Sequence, residues 1–251
     1  MVINQYHTIG DLIFIEPLCR YFYHRDGRKP ILPIHDHLMW IQEYIDTAVF
    51  VPKSTFELNY ESIEIDNSDY LPLLFANQIL RKLDKFDYSD YENVMLDKYR
   101  LALFEDAYIS KEYRKVLDLW KTIDLRFDVE KGHRLYEHLK LEEDEEYILI
   151  NEHSRAGKIE INLKDKYGIK IIKMEAIEGY TVIDWWKVIV AAKENHHIST
   201  STFFIMQALY NKFGEIFDSE VFLYPRPGED GLRGIKNLIP SFKCKKLFQN
   251  T

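Results

Sequence analysis

The sequence predicts an α/β protein of two domains, each a parallel sheet covered by helices. Three observations predict it. Short apolar or β-branched runs alternate with amphipathic stretches over residues 2–51, and the same alternation returns over residues 147–224. Between them, Glu142-Glu143-Asp144-Glu145-Glu146 reads as a solvated boundary. The domains are therefore placed at residues 1–140 and 141–251, and a chain of 251 residues is long enough for one large core or two smaller ones.

In the first domain Val2 to Tyr6 reads as a strand, and Asp11 to Arg25 as a helix with Leu12, Ile15, Leu18, Cys19 and Phe22 at helical spacing. Pro30 to Ile34 follows as a second strand, His37 to Ile45 as a helix and Ala48 to Val51 as a third strand. Ser62 to Ile65 is a candidate edge strand. Helices are expected from Leu71 to Leu83 and from Tyr91 to about Trp120, with a break near Tyr108 to Ser110. Tyr91, Tyr99, Tyr108 and Tyr113 on the longer stretch either face an acceptor or pack on the sheet.

A helix within Lys131 to Glu146 closes the first domain. In the second, strands are expected at Tyr147 to Asn151, Ile169 to Met174, His196 to Ile198 and Val221 to Tyr224, with helices at Ile183 to Glu194 and Ser201 to Phe213. Pro225-Arg226-Pro227-Gly228 ends the last of these strands, since two prolines remove donors and glycine permits the turn. One placement of the segment from Leu232 to Phe248 has it packing back on the first domain.

Composition narrows the function. Hydrophobic residues make up 46% and charged residues 29%, the balance of a folded domain. A formal charge of -8 provides no general attraction to nucleic acid or an anionic membrane, so neither is expected as a partner. No transmembrane segment or signal core is legible. Two cysteines, Cys19 and Cys244, are too few for a disulfide framework or a thiolate zinc site, and a reducing, cytoplasmic location is the simplest expectation.

Two turn-like segments place polar groups where strands give way to helices: His7-Thr8-Ile9-Gly10-Asp11 and His197-Ile198-Ser199-Thr200-Ser201-Thr202. Asp11 is a candidate general base or a plain helix cap, its carboxylate favoured by the helix dipole. Gly10 allows a tight turn beside it. His7 is a candidate hydrogen-bonding partner for an acceptor hydroxyl, or caps the first strand. Ser199, Thr200, Ser201 and Thr202 exceed what one cap needs and suit a phosphate at a helix start. His196 and His197 point to opposite faces of their strand, which disfavours a paired metal site.

After the first strand of the second domain comes Asn151-Glu152-His153-Ser154-Arg155-Ala156-Gly157-Lys158. Ser154, Arg155 and Lys158 together offer a hydroxyl, a fork of donors and a point charge for a diphosphate; the bland alternative is a basic surface turn. Glu175 is placed to accept hydrogen bonds from a ribose, with Glu178 an equal competitor. Asp66, Asp69, Asp87 and Asp90 sit in polar loops, and no Asp-x-Asp follows an apolar strand, so no metal site is expected. No P-loop or GxGxxG motif is present.

On these motifs the chain resembles the heptosyltransferase group, glycosyltransferase family 9. That family opens with a strand, a turn ending Gly-Asp and a helix with a proline about six residues on, matched here by Ile9-Gly10-Asp11 and Pro17. Its second domain has a hydroxyl-bearing loop with a lysine, similar to His153-Ser154-Arg155 with Lys158, and a small, hydroxyl-rich turn leading into a helix, similar to Ser199 to Thr202. The usual Asp-Thr/Ser-Gly and following His of that last motif are absent.

The resemblance implies a compact GT-B-like fold, two Rossmann-like domains facing a cleft, with residues 1–140 on the acceptor side and 141–251 holding the nucleotide sugar. It implies metal-independent sugar transfer from a nucleoside diphosphate donor to a hydroxyl acceptor, without a cofactor; UDP-sugar is a first choice of donor on frequency alone. Asp11 matches the family's base, with His7 beside it; Ser154, Arg155, Lys158, Glu175 and Ser199 to Thr202 surround the donor. Two rival readings stand: a non-catalytic nucleotide or sugar-nucleotide binding module, and a cation-requiring phosphoesterase or isomerase with Asp11 as nucleophile.

Overall fold

The computed structural model describes residues 1–5, 8–55, 70–73, 76, 78, 80, 94–103, 118–163, 168–214, 217–227 and 238–246. The chain divides into two units, Met1–Asp124 and Leu125–Thr251, each an α/β unit on its own parallel sheet.

In unit 1 the strands β1 (Val2–Ile3), β2 (Ile31–Ile34), β3 (Val49–Pro52) and β4 (Tyr70–Leu71) pair in parallel in the order β3-β2-β1-β4. Proline is rarely tolerated in a central strand. Pro33 is accommodated in β2 because β1 pairs with β2 only at Val2 and Ile31, before the proline is reached. β4 was not legible in the sequence: Leu71, expected to open a helix, pairs with Ile3 instead. Ala76 and Leu80 are helical and buried, as expected. The candidate strand at Ser62 to Ile65, the four loop aspartates, Tyr91, Tyr108 and Tyr113 lie outside the described residues.

The single helix expected from Asp11 to Arg25 is two helices, α1 (Ile9–Phe14) and α2 (Glu16–Asp26). Pro17 is the reason. Its ring nitrogen carries no proton to continue the ladder, but its fixed φ suits the first turn of a new helix. A 3₁₀ helix over Asp36–Glu43 replaces the expected helix from His37, and α3 (Val94–Ala102) realises part of the long stretch after Tyr91. Tyr99 of α3 packs edge-on against Phe14 at 5.0 Å and donates its hydroxyl to the Phe14 carbonyl at 2.5 Å, so it is a core residue.

Unit 2 begins earlier than the acidic run suggests. Helix α4 (Val129–His138) belongs to it because Gly132 admits Trp186: a Cβ there would lie 1.9 Å from the indole Nε1, which donates to the Asp128 carbonyl at 2.9 Å. The acidic run instead sits between α4 and the first strand of the second sheet. There Glu145 pairs with Lys170 at 2.8 Å and Glu146 with Lys193 at 2.6 Å.

The second sheet contains β5 (Tyr147–Asn151), β8 (Lys170–Lys173), β9 (Glu194–Ile198), β10 (Glu220–Tyr224) and β11 (Cys244–Lys246), in the order β11-β10-β9-β5-β8, all parallel. A two-stranded antiparallel ribbon, β6 (His153–Ser154) with β7 (Gly157–Lys158), follows β5. Helices α5 (Trp186–Ala191) and α6 (Ser201–Phe213) connect the later strands. The C-terminal segment adds a strand to this sheet: Cys244 to Lys246 pair with Val221 to Leu223, and Phe242 packs edge-on against Phe203 and Phe217. Among the described residues no helix is long and apolar enough to cross a membrane.

Candidate functional site

Both sheets reverse direction once. In unit 1 the chain runs from β1 through β2 to β3, and β4 then lies on the other side of β1. In unit 2 it runs from β5 to β8, and β9 returns to the other side of β5 with β10 and β11 beyond it. At such a reversal the flanking connections leave toward opposite faces, which opens a crevice outside the carboxyl ends of the two central strands. The crevice positions are the ends of β1 and β4 in one unit and of β5 and β9 in the other.

At the end of β1, Thr8 caps α1. Its Oγ1 accepts from the Asp11 amide at 3.3 Å and donates to Asp11 Oδ2 at 2.8 Å. The other oxygen, Oδ1, receives the Lys98 ammonium from α3. Asp11 is therefore not the cap: it sits in the first turn of α1, its carboxylate 16% exposed and held from two sides. Burial lowers the pKa of Lys98, and Asp11 opposes that shift. Gln5, the second residue after β1, is buried, and its Oε1 has no hydrogen-bond partner among the described residues. His7 lies outside the described residues.

Glu16 lies five residues beyond Asp11, and its carboxyl is strongly perturbed. Burial pushes it up to about 7, although the Asp124 amide donates to it at 2.9 Å and Arg20 lies 3.5 Å away. It ties α2 to the end of unit 1 and to Thr47, whose hydroxyl donates to it at 3.3 Å, so it reads as a packing element.

At the end of β9, Ser199, Thr200, Ser201 and Thr202 start the 13-residue helix α6. Thr200 occupies the cap position but makes no side-chain cap bond; its Oγ1 is shared with Thr202 Oγ1 at 3.0 Å and Asn151 Nδ2 at 3.4 Å. Asn151 is the last residue of β5, so this contact spans the reversal point. Ser199 is fully buried, its amide donating to the Tyr224 carbonyl at 2.9 Å, while its Oγ has no partner among the described residues. A buried hydroxyl without a partner is costly. Thr200 and Ser201 are partly exposed beside it, at a helix start, the position at which backbone amides favour an anion.

The ribbon β6–β7 qualifies the expectation for Ser154. Its hydroxyl closes the turn, donating to the Gly157 carbonyl at 3.0 Å and accepting from the Ala156 amide at 3.2 Å. Arg155 is exposed at the tip. Gly157 has φ +128 and faces Pro227, whose Cγ is 3.6 Å from where a Cβ would stand. Since Pro227 follows β10, the ribbon leans from the end of β5 toward the end of β10, past β9 between them.

Lys158 is held at 3.4 Å by Glu152, which also receives Lys173 at 3.0 Å and the Ile161 amide at 3.0 Å. Burial alone would raise the Glu152 carboxyl, but these donors outweigh it and hold it below the usual carboxylate range. Glu175 and Glu178 follow β8.

His196 and His197 do lie on opposite faces. His196 bridges Glu194 at 3.0 Å and Tyr224 at 2.8 Å and stacks on Phe222 at 4.4 Å; His197 is bonded to Asn195 at 3.1 Å, and burial lowers its pKa to about 3. No group of three or more His, Cys, Asp or Glu side chains is gathered around a metal position among the described residues. Sequence reasoning missed Lys98 and Gln5. Neither has a local signal, since Lys98 meets Asp11 across 87 residues and Gln5 is defined by burial alone.

Each of the two units is thus an α/β unit with polar groups at the reversal point of its sheet. No family model matches the chain and no curated protein matches it. Among solved structures it is similar to a glycosyl transferase family 9 protein from Veillonella parvula, at 10% identity, covering 93% of this chain and 83% of that one, TM-score 0.45. It is also similar to the E. coli heptosyltransferase WaaC with ADP, at 13% identity, covering 90% of this chain and 91% of that one, TM-score 0.41. At these identities and TM-scores, neither likeness carries an activity over to this chain.

Proposed function

We propose that the chain is a glycosyltransferase that moves a sugar from a nucleoside diphosphate donor to a hydroxyl acceptor, independently of a metal. One observation carries the donor assignment: the start of α6, with four hydroxyl residues, no side-chain cap bond and a Ser199 Oγ without a partner among the described residues, at the reversal point of the second sheet. An anion is the ligand chemistry that such a turn accepts.

The donor diphosphate rests on Ser199 to Thr202, and Arg155 and Lys158 supply positive charge from the ribbon. Ser154 shapes that ribbon. Glu175 is the proposed ribose contact, and UDP the first nucleotide to try. Asp11, with His7 beside it in sequence, belongs to the acceptor side.

The reaction balances without a cofactor. The Asp11 carboxylate takes the proton of the acceptor hydroxyl as its oxygen bonds to the anomeric carbon, and the bond from that carbon to the diphosphate oxygen breaks with its electron pair. The leaving nucleoside diphosphate is stabilised by the helix start and the basic ribbon. Such a protein works in the cytoplasm, where nucleotide sugars are at hand.

A thermal-shift screen of UDP, GDP, ADP and dTDP, with magnesium and with EDTA, tests the reading. A rise in melting temperature for one nucleotide that survives EDTA supports it. No rise for any removes it, and a rise that needs magnesium removes metal independence. Nucleotide binding without release of nucleoside diphosphate from the matching sugar nucleotides would instead mark a non-catalytic binding module.

A further inference from the structure

We infer that Lys98 is the positioning residue for the Asp11 carboxylate: its ammonium holds Oδ1, so that the carboxylate stays charged and correctly turned toward an acceptor hydroxyl. The inference rests on the reading of Asp11 as base. The ammonium reaches Asp11 from α3, on a side chain 6% exposed, 87 residues away in sequence. Thr8 Oγ1 occupies Oδ2 at 2.8 Å. With a donor on each oxygen the carboxylate cannot rotate freely, and fixed geometry is what a general base requires.

A helix cap alone does not call for this arrangement. Thr8 already satisfies the Asp11 amide, and the helix gains nothing from a distant lysine whose burial carries a desolvation cost. Among the described residues, the charged group paired with Lys98 is Asp11. Asp97 and Arg100, its neighbours on α3, pair with each other at 2.6 Å and are buried.

A kinetic double-mutant cycle tests the inference, with Lys98→Met, Lys98→Arg, Asp11→Asn and the double variant Asp11→Asn/Lys98→Met. The readout is release of nucleoside diphosphate from UDP-, GDP-, ADP- and dTDP-sugars with water as the hydroxyl acceptor, and melting temperature is recorded for each variant. Lys98→Met should lower kcat by about 10- to 100-fold with KM for the donor unchanged, and should move the acid limb of the rate profile to higher pH. Lys98→Arg should restore most of kcat, and Lys98→Met should cost nothing further once Asp11 is Asn.

A Lys98→Met protein that folds and keeps its kcat and pH profile overturns the inference, as does a loss that persists undiminished in the Asp11→Asn background. Should Lys98→Met fail to fold, Lys98→Arg decides: the restored charge must keep the acid limb in place. Transfer that survives Asp11→Asn overturns the base reading beneath it, a result distinct from the failure of Lys98 alone.

Discussion

The carboxyl ends of the two sheets share a topology and differ in how their polar groups are satisfied. At the end of β1 the Asp11 carboxylate has a protein donor on each oxygen, Thr8 and Lys98. At the end of β9, Thr200 makes no cap bond and the buried Ser199 Oγ has no partner among the described residues. A group that must act as a base gains from being pinned in the unliganded protein. A surface that must receive an anion gains from donors left available, because bonds already made within the protein would have to be broken first.

Removing the carboxylate should give the largest effect. Asp11→Asn is expected to lower transfer by about 10² to 10⁴-fold while nucleotide affinity changes by less than about 2-fold, because the proposed base is assigned to the acceptor side. Paired turnover and calorimetric measurements check this, and loss of both together would erase the proposed division between the units.

The contrast extends to buried titrating groups. Burial pushes the Glu16 carboxyl in unit 1 up to about 7 from an ordinary 4.5, so its stabilising contribution is complete below the lower value and is lost as pH rises through the higher one. That loss amounts to about 3 kcal/mol. His197 in unit 2 is shifted the other way, from 6.5 to about 3, so its contribution is present above the higher value and is lost as pH falls. Melting temperature against pH should therefore fall less between pH 5 and pH 8 in Glu16→Gln than in the unsubstituted protein.

Arg155→Ala should weaken nucleotide binding by about 1.5–3 kcal/mol, the range for hydrogen bonds to charged groups, as read by calorimetry. An unchanged affinity would remove the ribbon from the site. The smallest effects are the most telling in sign. Thr8→Ala should lower stability by about 0.5–2 kcal/mol, the usual loss of a cap. Ser199→Ala should leave the unliganded protein as stable or raise its melting temperature, since the hydroxyl removed makes no bond among the described residues. Two hydroxyls, each near a helix start, would then answer the same truncation in opposite directions.

Much of this was legible in the sequence. The strand from Tyr147 to Asn151 and the helix from Ser201 to Phe213 match the periodicity residue for residue, because a fully buried parallel strand and a long apolar helix both announce themselves locally. Pro17 was visible yet its consequence was not, since a proline two residues into a new helix and one inside a continuing helix look alike. The early start of unit 2 rests on Gly132 meeting Trp186, a tertiary contact with no local signature. Ser154 shows the limit for sites: its residue type suits phosphate, but in the ribbon its hydroxyl is spent on its own turn. Lys98 was illegible because its partner lies far away in the chain.

A calorimetric titration in EDTA decides whether the end of β9 is a diphosphate site. UDP, GDP, ADP and dTDP are titrated in turn into the unsubstituted protein and into Ser199→Ala. One nucleotide should bind without a metal, and Ser199→Ala should weaken it by about 5- to 10-fold, the worth of one hydrogen bond. Binding of none of the four, or equal affinity in the two proteins, would contradict that assignment.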